Sequence, residues 1–247
     1  MASTPPPQRK TYGDDPSQFV DLYMADDHIA EHARGTVLSI HGGYWRQKYG
    51  LDLNVPIAEH LATQGWTVAN IEYRRVQPNG DGAWHEMSAD VLDAIALIED
   101  QPGPLVALGH SAGGQLALWA AAQAETTIDA VVALAPVSDL FLADGLELSD
   151  HATKELFGTS AAERPDLYAI ASPLYLLPLG IPQLIVHGQK DEDVPFDMAT
   201  EYTETAEAAG DRVELIDPKS VDHFNVIDPT HEVWRKIDLW LDGVRNA

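Results

Sequence analysis

A Gly-x-Ser-x-Gly motif, in which x is any residue, stands directly after a short apolar run. Ser111 lies at its centre between Gly109 and Gly113, and the run Leu105–Leu108 precedes it. The two glycines relieve crowding at a sharp strand-to-helix turn, so that the serine hydroxyl projects from the edge of a sheet. The first amides of the following helix face the negative charge that develops on an attacked carbonyl. The motif therefore predicts that Ser111 is a nucleophile and that the Ala112 amide helps to form an oxyanion hole.

A serine hydroxyl is a weak nucleophile at neutral pH and needs a base within hydrogen-bond reach. Of the ten histidines, four follow the serine: His151, His187, His223 and His231. His223 stands in a polar turn between the last predicted strand and the final predicted helix, as the chain order serine, acid, histidine requires. We predict His223 as the base, His187 as a support of the acid loop, and His231 as a surface residue of the final helix.

The acid is expected after the penultimate strand, where three carboxylates compete. In hydrolases with such a serine motif, the acid usually lies three residues after a glycine. A Val-Pro pair follows the acid three and four residues later. Asp191 meets both spacings, because Gly188 precedes it and Val194–Pro195 follows. We predict Asp191 as the acid, with Asp193 and then Glu192 as alternatives.

A second glycine-rich segment, His-Gly-Gly-Tyr-Trp at residues 41–45, follows another apolar run. Loops of this kind use backbone amides to hold an oxyanion, and glycine lets the backbone approach the substrate oxygen. We predict Gly43 as the partner of Ala112 in the oxyanion hole, with Gly42 or Tyr44 as a third donor. Tyr44 is also predicted to contact the substrate, where it would narrow the space around the acyl carbon.

A His-x-x-Glu-His pattern also occurs, at His28, Glu31 and His32. In zinc peptidases such a pattern needs a long helix that holds both histidines on one face, and a third ligand elsewhere. Here Gly35 and a predicted strand follow too closely for such a helix. We therefore predict no metal and interpret the segment as a solvated loop.

Short apolar runs alternate with helical patterns along the chain, which predicts an α/β fold with a mostly parallel sheet covered by helices on both faces. The predicted strands are Thr36–Ile40, Thr67–Ile71, Leu105–Leu108, Ala130–Leu134, Gln183–Val186 and Val213–Ile216, and residues 18–24 are predicted to add an antiparallel edge strand. The predicted helices cover residues 52–64, 84–99, 113–124, 196–209 and 229–243. Residues 1–16 are predicted to be poorly ordered and 17–247 to form one domain. The proline-rich stretch 140–181 is either a small lid over the site or an ordinary excursion of helices and loops.

The composition limits the classes of partner. With 39 acidic and 15 basic residues the net charge is −24, and such a field repels nucleic acid and anionic membranes. An acidic, solvated surface explains the charge, and selection of cationic substrates is the alternative. The chain has no cysteine, which excludes disulfides and thiolate catalysis. No secretory or membrane-spanning pattern is apparent, so we expect a cytoplasmic enzyme with a small-molecule substrate and no cofactor, and homodimer formation stays open.

Taken together, these motifs resemble the kynurenine formamidase (arylformamidase) group of the α/β-hydrolase superfamily. The similarity rests on residues 41–45, on the Gly-His-Ser-Ala-Gly turn at 109–113 and on Asp-His-Phe at 222–224. Tyr12–Pro16 and Val20–Tyr23 are similar to the N-terminal strands of that group, and the likeness extends over residues 12–245. The resemblance implies an α/β-hydrolase fold and hydrolysis of N-formyl-L-kynurenine to kynurenine and formate. A carboxylesterase or acetyl esterase of small or aryl esters is the alternative, and a non-catalytic binding protein of the same fold is a remote one.

Overall fold

The computed structural model describes residues 5–25, 34–77, 83–101 and 103–245, and within these ranges eight strands form one sheet. The strands are β1 (Gln8–Thr11), β2 (Phe19–Tyr23), β3 (Thr36–Ile40), β4 (Thr67–Glu72), β5 (Leu105–His110), β6 (Ala130–Leu134), β7 (Gln183–Val186) and β8 (Val213–Ile216). Their order in the sheet is β1-β2-β4-β3-β5-β6-β7-β8. The β1–β2 and β2–β4 pairs are antiparallel, and every other pair is parallel. The six predicted parallel strands are confirmed, since β4 and β5 only extend slightly beyond their predicted ends.

The N-terminal part of the sheet differs from the prediction. The segment over residues 18–24 does form an antiparallel strand, but β1 pairs with β2 and takes the edge position. Arg9 on β1 donates two hydrogen bonds of 2.7 Å to Asp21 on β2, which gives the polar edge strand a specific partner. The prediction that residues 1–16 are poorly ordered is therefore corrected for Gln8–Thr11, because a cross-strand ion pair orders a sequence with no apolar pattern.

Eight α-helices connect the strands in the described ranges. They are α1 (Val55–Thr63), α2 (Trp84–Ile98), α3 (Ala112–Ala121), α4 (Leu140–Gly145), α5 (Leu148–Phe157), α6 (Pro165–Ala171), α7 (Phe196–Ala209) and α8 (Trp234–Arg245). All five predicted helices are present, with α8 beginning later than predicted. His231 consequently lies in the turn before α8 and not on it, where its Nδ1 accepts a hydrogen bond from the Val233 amide.

Two apolar layers cover the two faces of the sheet. One layer contains α2, α3 and α7, and the other contains α1 and α8. The predicted inward face of α2 is fully buried, as Met87, Val91, Ala94, Ile95 and Ile98 show. Buried area of this kind contributes about 25 cal/mol per Å² of apolar surface. The two layers hold the strand ends rigid, and the site is built on those ends.

The stretch between β6 and β7 folds as α4, α5 and α6, followed by a short 3-10 helix at Pro173–Leu176. Within it, Glu147, Ser149, Asp150 and His151 have positive φ angles of 54°, 47°, 57° and 61°. This left-handed turn interrupts the start of α5. The excursion of helices and loops is therefore present, and the role of the stretch as a lid stays a prediction. The His-x-x-Glu-His pattern lies outside the described residues.

Candidate active site

Ser111 lies at the junction of β5 and α3, in a backbone conformation that residues other than glycine rarely adopt. Its φ and ψ angles are 55° and −119°, and such strain clusters at functional sites. A Cβ at Gly109 would lie 2.0 Å from the Gly113 carbonyl oxygen, and a Cβ at Gly113 would lie 2.1 Å from that of Ile40. Both motif glycines are therefore sterically required, as the sequence predicts for a sharp turn that presents Ser111.

Asp191 and His223 come together from two loops that are distant in sequence. Asp191 Oδ2 lies 2.7 Å from His223 Nδ1, and both side chains are buried. Asp191 Oδ1 also accepts the amides of Asp193 and Val194, at 2.9 and 2.8 Å. Burial raises the pKa of Asp191, but hydrogen bonds from His187 and His223 outweigh it and hold that pKa well below its usual range. The carboxylate is thus charged at neutral pH and suited to orient an imidazole and stabilise its charged form.

The two alternative acids occupy different positions. Glu192 and Asp193 are exposed, whereas Asp191 makes the direct hydrogen bond to His223. In the described ranges, one group of side chains has ligand atoms within 4.8 Å of one another, close enough to share a metal ion. It consists of Asp191, Asp193 and His223. His223 Nδ1 already engages Asp191, an arrangement that supports the predicted assignment of Asp191 as the acid.

His187 supports the acid loop, as its position at the end of β7 suggested. The ring is fully buried, and Nε2 lies 3.0 Å from the Val194 carbonyl oxygen and 3.2 Å from Asp191 Oδ2. One ring nitrogen therefore faces both the backbone and the carboxylate of the loop. This arrangement limits the positions that Asp191 can adopt relative to His223.

His110, which directly precedes the serine, is a contact that sequence reasoning missed. Its Nε2 lies 2.9 Å from the His223 carbonyl oxygen, and the two rings are 4.6 Å apart. Burial and the neighbouring His223 lower the pKa of His110 from 6.5 to about 3. The ring is therefore neutral and donates from Nε2, which anchors the backbone of the predicted base. The only sequence signal was its place inside the Gly-x-Ser-x-Gly motif.

The predicted oxyanion loop runs beside the nucleophile. A Cβ at Gly42 would lie 2.7 Å from the His110 carbonyl oxygen and 3.0 Å from Ser111 Cβ. Gly43 has a φ angle of 110°, and its Cβ would lie 2.4 Å from Tyr49 Cβ. Neither position accepts a side chain without rearrangement, and at Gly42 the backbone itself lies against the serine. The assignment of Gly43, Gly42 and Ala112 as oxyanion donors stays a prediction that this proximity supports.

The two aromatic residues of this loop point to different environments. Trp45 is buried and donates from Nε1 to Gln115 at 3.0 Å, so it packs beneath the loop. Tyr44 is half-buried, and its hydroxyl donates to the Asp193 carbonyl oxygen at 2.5 Å. Tyr44 thus joins the oxyanion loop to the acid loop, a position that supports its predicted contact with the substrate.

The profile of the BD-FAE family matches residues 20–205, about three quarters of the chain. The chain belongs to the BD-FAE family. The matched region contains Ser111, Asp191 and residues 41–45, and His223 follows it.

Curated relatives of this BD-FAE member include two hydrolases. Esterase LipC of Mycobacterium tuberculosis is 26% identical, over 97% of this chain and 66% of LipC, so the chain spans about two thirds of that protein. Kynurenine formamidase of Danio rerio is also 26% identical, over 88% of the chain and 74% of the relative. Among solved structures, a truncated carbohydrate esterase from gut microbiota superposes with a TM-score of 0.83 at 18% identity, covering 100% of this chain and 99% of that one.

The fold is that of the α/β-hydrolases, as the mostly parallel sheet with helices on both faces and the superposition together establish. The predicted membership of the hydrolase superfamily is confirmed. These relatives do not separate the kynurenine formamidase group from the esterases, because one protein of each kind is 26% identical to the chain. None of the helices in the described ranges combines the length and apolar content needed to cross a bilayer.

Proposed function

We propose that this BD-FAE family member is a serine esterase that removes small acyl groups from alcohol or aryl esters. The observation that carries the proposal is the 2.7 Å contact between buried Asp191 and His223, in a fold whose strained turn presents Ser111. A hydroxyl, a base and a carboxylate that orients the base are the parts of a covalent acyl-transfer site.

The proposed reaction has two steps, the formation of an acyl-serine and its hydrolysis. His223 takes the Ser111 proton as the hydroxyl oxygen attacks the ester carbonyl, and Asp191 stabilises the imidazolium. The amides of Gly43 and Ala112 hold the oxyanion, a contribution of about 3–4 kcal/mol for each donor in comparable sites. His223 then protonates the departing alcohol, which leaves an acyl-serine. Water, deprotonated by His223, attacks that ester and releases the acid and free Ser111.

The preference for small acyl groups rests on Tyr44. Tyr44 directly follows the oxyanion glycines, and the hydrogen bond from its hydroxyl to the Asp193 carbonyl oxygen holds the ring between the oxyanion loop and the acid loop. A pocket that excludes methylenes discriminates by about 1–3 kcal/mol for each one. We therefore propose that acetyl esters are turned over faster than hexanoyl esters.

Formamide hydrolysis is the second candidate, because the chain is 26% identical to a kynurenine formamidase and its loop at residues 41–45 resembles that group. The same site performs that reaction when a formyl group replaces the acyl group and an aryl amine leaves. Similarity to esterase LipC, which extends over more of the chain, favours the ester.

The experiment that tests this proposal compares kcat/KM for p-nitrophenyl acetate, p-nitrophenyl hexanoate and N-formyl-L-kynurenine, with Ser111→Ala as the background control. We expect acetate to exceed both other substrates by about tenfold or more. A larger value for N-formyl-L-kynurenine would favour the formamidase instead, and turnover by Ser111→Ala equal to that of the wild type would overturn both.

A further inference from the structure

His41, the residue before the two oxyanion glycines, is completely buried with both ring nitrogens engaged. Nδ1 lies 2.8 Å from the Gly42 carbonyl oxygen, and Nε2 lies 3.0 Å from Glu72 Oε1. A carbonyl oxygen only accepts hydrogen bonds, so Nδ1 must carry a proton. The state of Nε2 then depends on whether Glu72 is a carboxylate or a carboxylic acid.

Several contacts show that Glu72 is a carboxylate. Its oxygens accept the amides of Leu51 and Tyr73, each at 3.1 Å, and Arg75 Nη1 lies 3.0 Å from Oε1. Burial raises the pKa of Glu72, whereas the charge of Arg75 and the hydrogen bond from the Leu51 amide lower it, and these two contacts do not depend on the state of His41. An ionised carboxylate only accepts, so Nε2 of His41 must also donate.

We infer that His41 is an imidazolium in the resting enzyme, and that this buried cation is a positioning residue that clamps the oxyanion loop. One proton holds the Gly42 carbonyl and the other holds the Glu72 carboxylate at the end of β4. Tyr73 completes the clamp, since its ring stacks on His41 at 4.4 Å and its hydroxyl donates to the His41 carbonyl oxygen at 2.7 Å. The role in the reaction rests on the proposed esterase function.

The charges around the loop give the clamp a second effect. His41 and Arg75 place two positive charges around Glu72, and the Asp52 carboxylate lies near Glu72 and Arg75 at Gly50. His110, which lies on the other side of Gly42, is neutral, and burial raises the pKa of Tyr73 so that its phenol stays protonated. His41 directly precedes the two oxyanion glycines, so its positive charge stands at the loop itself. A fixed positive field beside the developing oxyanion favours the transition state.

The charge state is measurable on the wild-type protein by ¹⁵N NMR of histidine side chains near neutral pH. Signals of His41 are identified by their loss in His41→Gln or His41→Asn, whichever gives folded protein. We expect both ring nitrogens of His41 to carry protons. A His41 ring with a bare nitrogen would overturn the inference, whatever the kinetics.

The positioning role is tested by the kinetics of His41→Gln on p-nitrophenyl acetate, with His60→Gln as the matched control. His60 also pairs with a carboxylate, Asp238 at 3.0 Å, but on the far side of the sheet beside α8. We expect kcat to fall about tenfold or more in His41→Gln with KM within about twofold, because the oxyanion is bound in the transition state alone. Wild-type kcat in a folded His41→Gln would overturn this role.

The two proposals fail in different ways. A wild-type protein inert both to esters and to a fluorophosphonate would refute the esterase function. The NMR result would still decide the charge of His41 in that case, since it needs no turnover.

Discussion

At the scale of single residues, the hydrogen bond between Asp191 and His223 is the contact on which the rate should depend most. Asp191→Asn replaces an acceptor by a group that can present an N–H to Nδ1, which favours the wrong imidazole tautomer. In a comparable triad this change lowers kcat about 10⁴-fold, and we expect a loss of that order here. Steady-state turnover of p-nitrophenyl acetate measures it.

Asp193→Asn is the matched control for this substitution. Asp193 is exposed, and its backbone carbonyl, which the substitution keeps, is the atom that Tyr44 contacts. We expect kcat within about threefold of the wild type, as for most surface substitutions. The opposite ranking of the two variants would transfer the role of the acid to Asp193.

His110 should make the stability of the protein depend on acid pH. Its folded-state pKa is lowered from 6.5 to about 3, so between these values the unfolded chain binds a proton that the folded one does not. This contribution to the free energy of unfolding is complete above about pH 6.5 and falls by about 1.4 kcal/mol per pH unit as the pH drops towards 3. His110→Gln keeps a donor and lacks the titration.

Urea unfolding near pH 7 and near pH 5 measures this effect. We expect the wild type to lose about 2 kcal/mol more between the two conditions than His110→Gln does. Equal losses in the two proteins would show that His110 titrates alike in the folded and unfolded states.

At the scale of elements, the left-handed turn at the start of α5 depends on Arg46, which follows the oxyanion loop. Left-handed helical backbone costs about 1–2 kcal/mol per residue, and Ser149, Asp150 and His151 adopt it in succession. Arg46 donates to the carbonyl oxygens of Ser149 and Asp150 at 2.7 and 3.2 Å, and pairs with Glu155 at 2.6 Å. These contacts tie the strained turn to the loop that holds the oxyanion.

Arg46→Ala should therefore loosen α5. We expect a loss of about 1–3 kcal/mol in the free energy of unfolding and faster amide hydrogen exchange over residues 147–151. Arg9→Ala is the control, because Arg9 also pairs with a carboxylate, that of Asp21, but is 57% exposed, and its loss should cost less than about 1 kcal/mol. An Arg46→Ala protein with unchanged exchange at 147–151 would refute the coupling.

The same elements show how far sequence reasoning reaches. The buried strands β3 to β7 were predictable, because nearly continuous apolar runs are typical of a parallel sheet buried on both faces. The edge strand β8 was also predicted, although only Ile216 in it is buried. Strand β1 was not, since its residues are polar and exposed, and the contacts of Arg9 with Asp21 and Phe19 on β2 are set by the tertiary fold. The sequence also placed the start of α8 too early. Residues before Trp234 that were assigned to this helix form a local turn at His231 instead.

At the scale of the whole molecule, the sheet brings together residues that are far apart in the chain. Residues 41–45, Ser111, Asp191 and His223 all follow strands whose carboxyl ends meet at one edge, as is typical of open α/β sheets. Sequence order and motif spacing were therefore enough to select Ser111, Asp191 and His223 as candidates, and their role as a triad stays a prediction. The contacts of His41, His110 and Arg46 were not predictable, because each depends on a partner set by the tertiary fold and not by any local pattern.

The central claim is that Ser111 is a nucleophile activated by the His223–Asp191 pair. Intact-protein mass spectrometry after exposure to a fluorophosphonate tests it most directly, with Ser111→Ala and Asp191→Asn treated in parallel. We predict that the wild type gains one phosphonyl group, located on Ser111 by peptide mapping, that Ser111→Ala gains none, and that Asp191→Asn reacts far more slowly. A wild-type protein left unmodified, or a label on any other residue, would contradict the account.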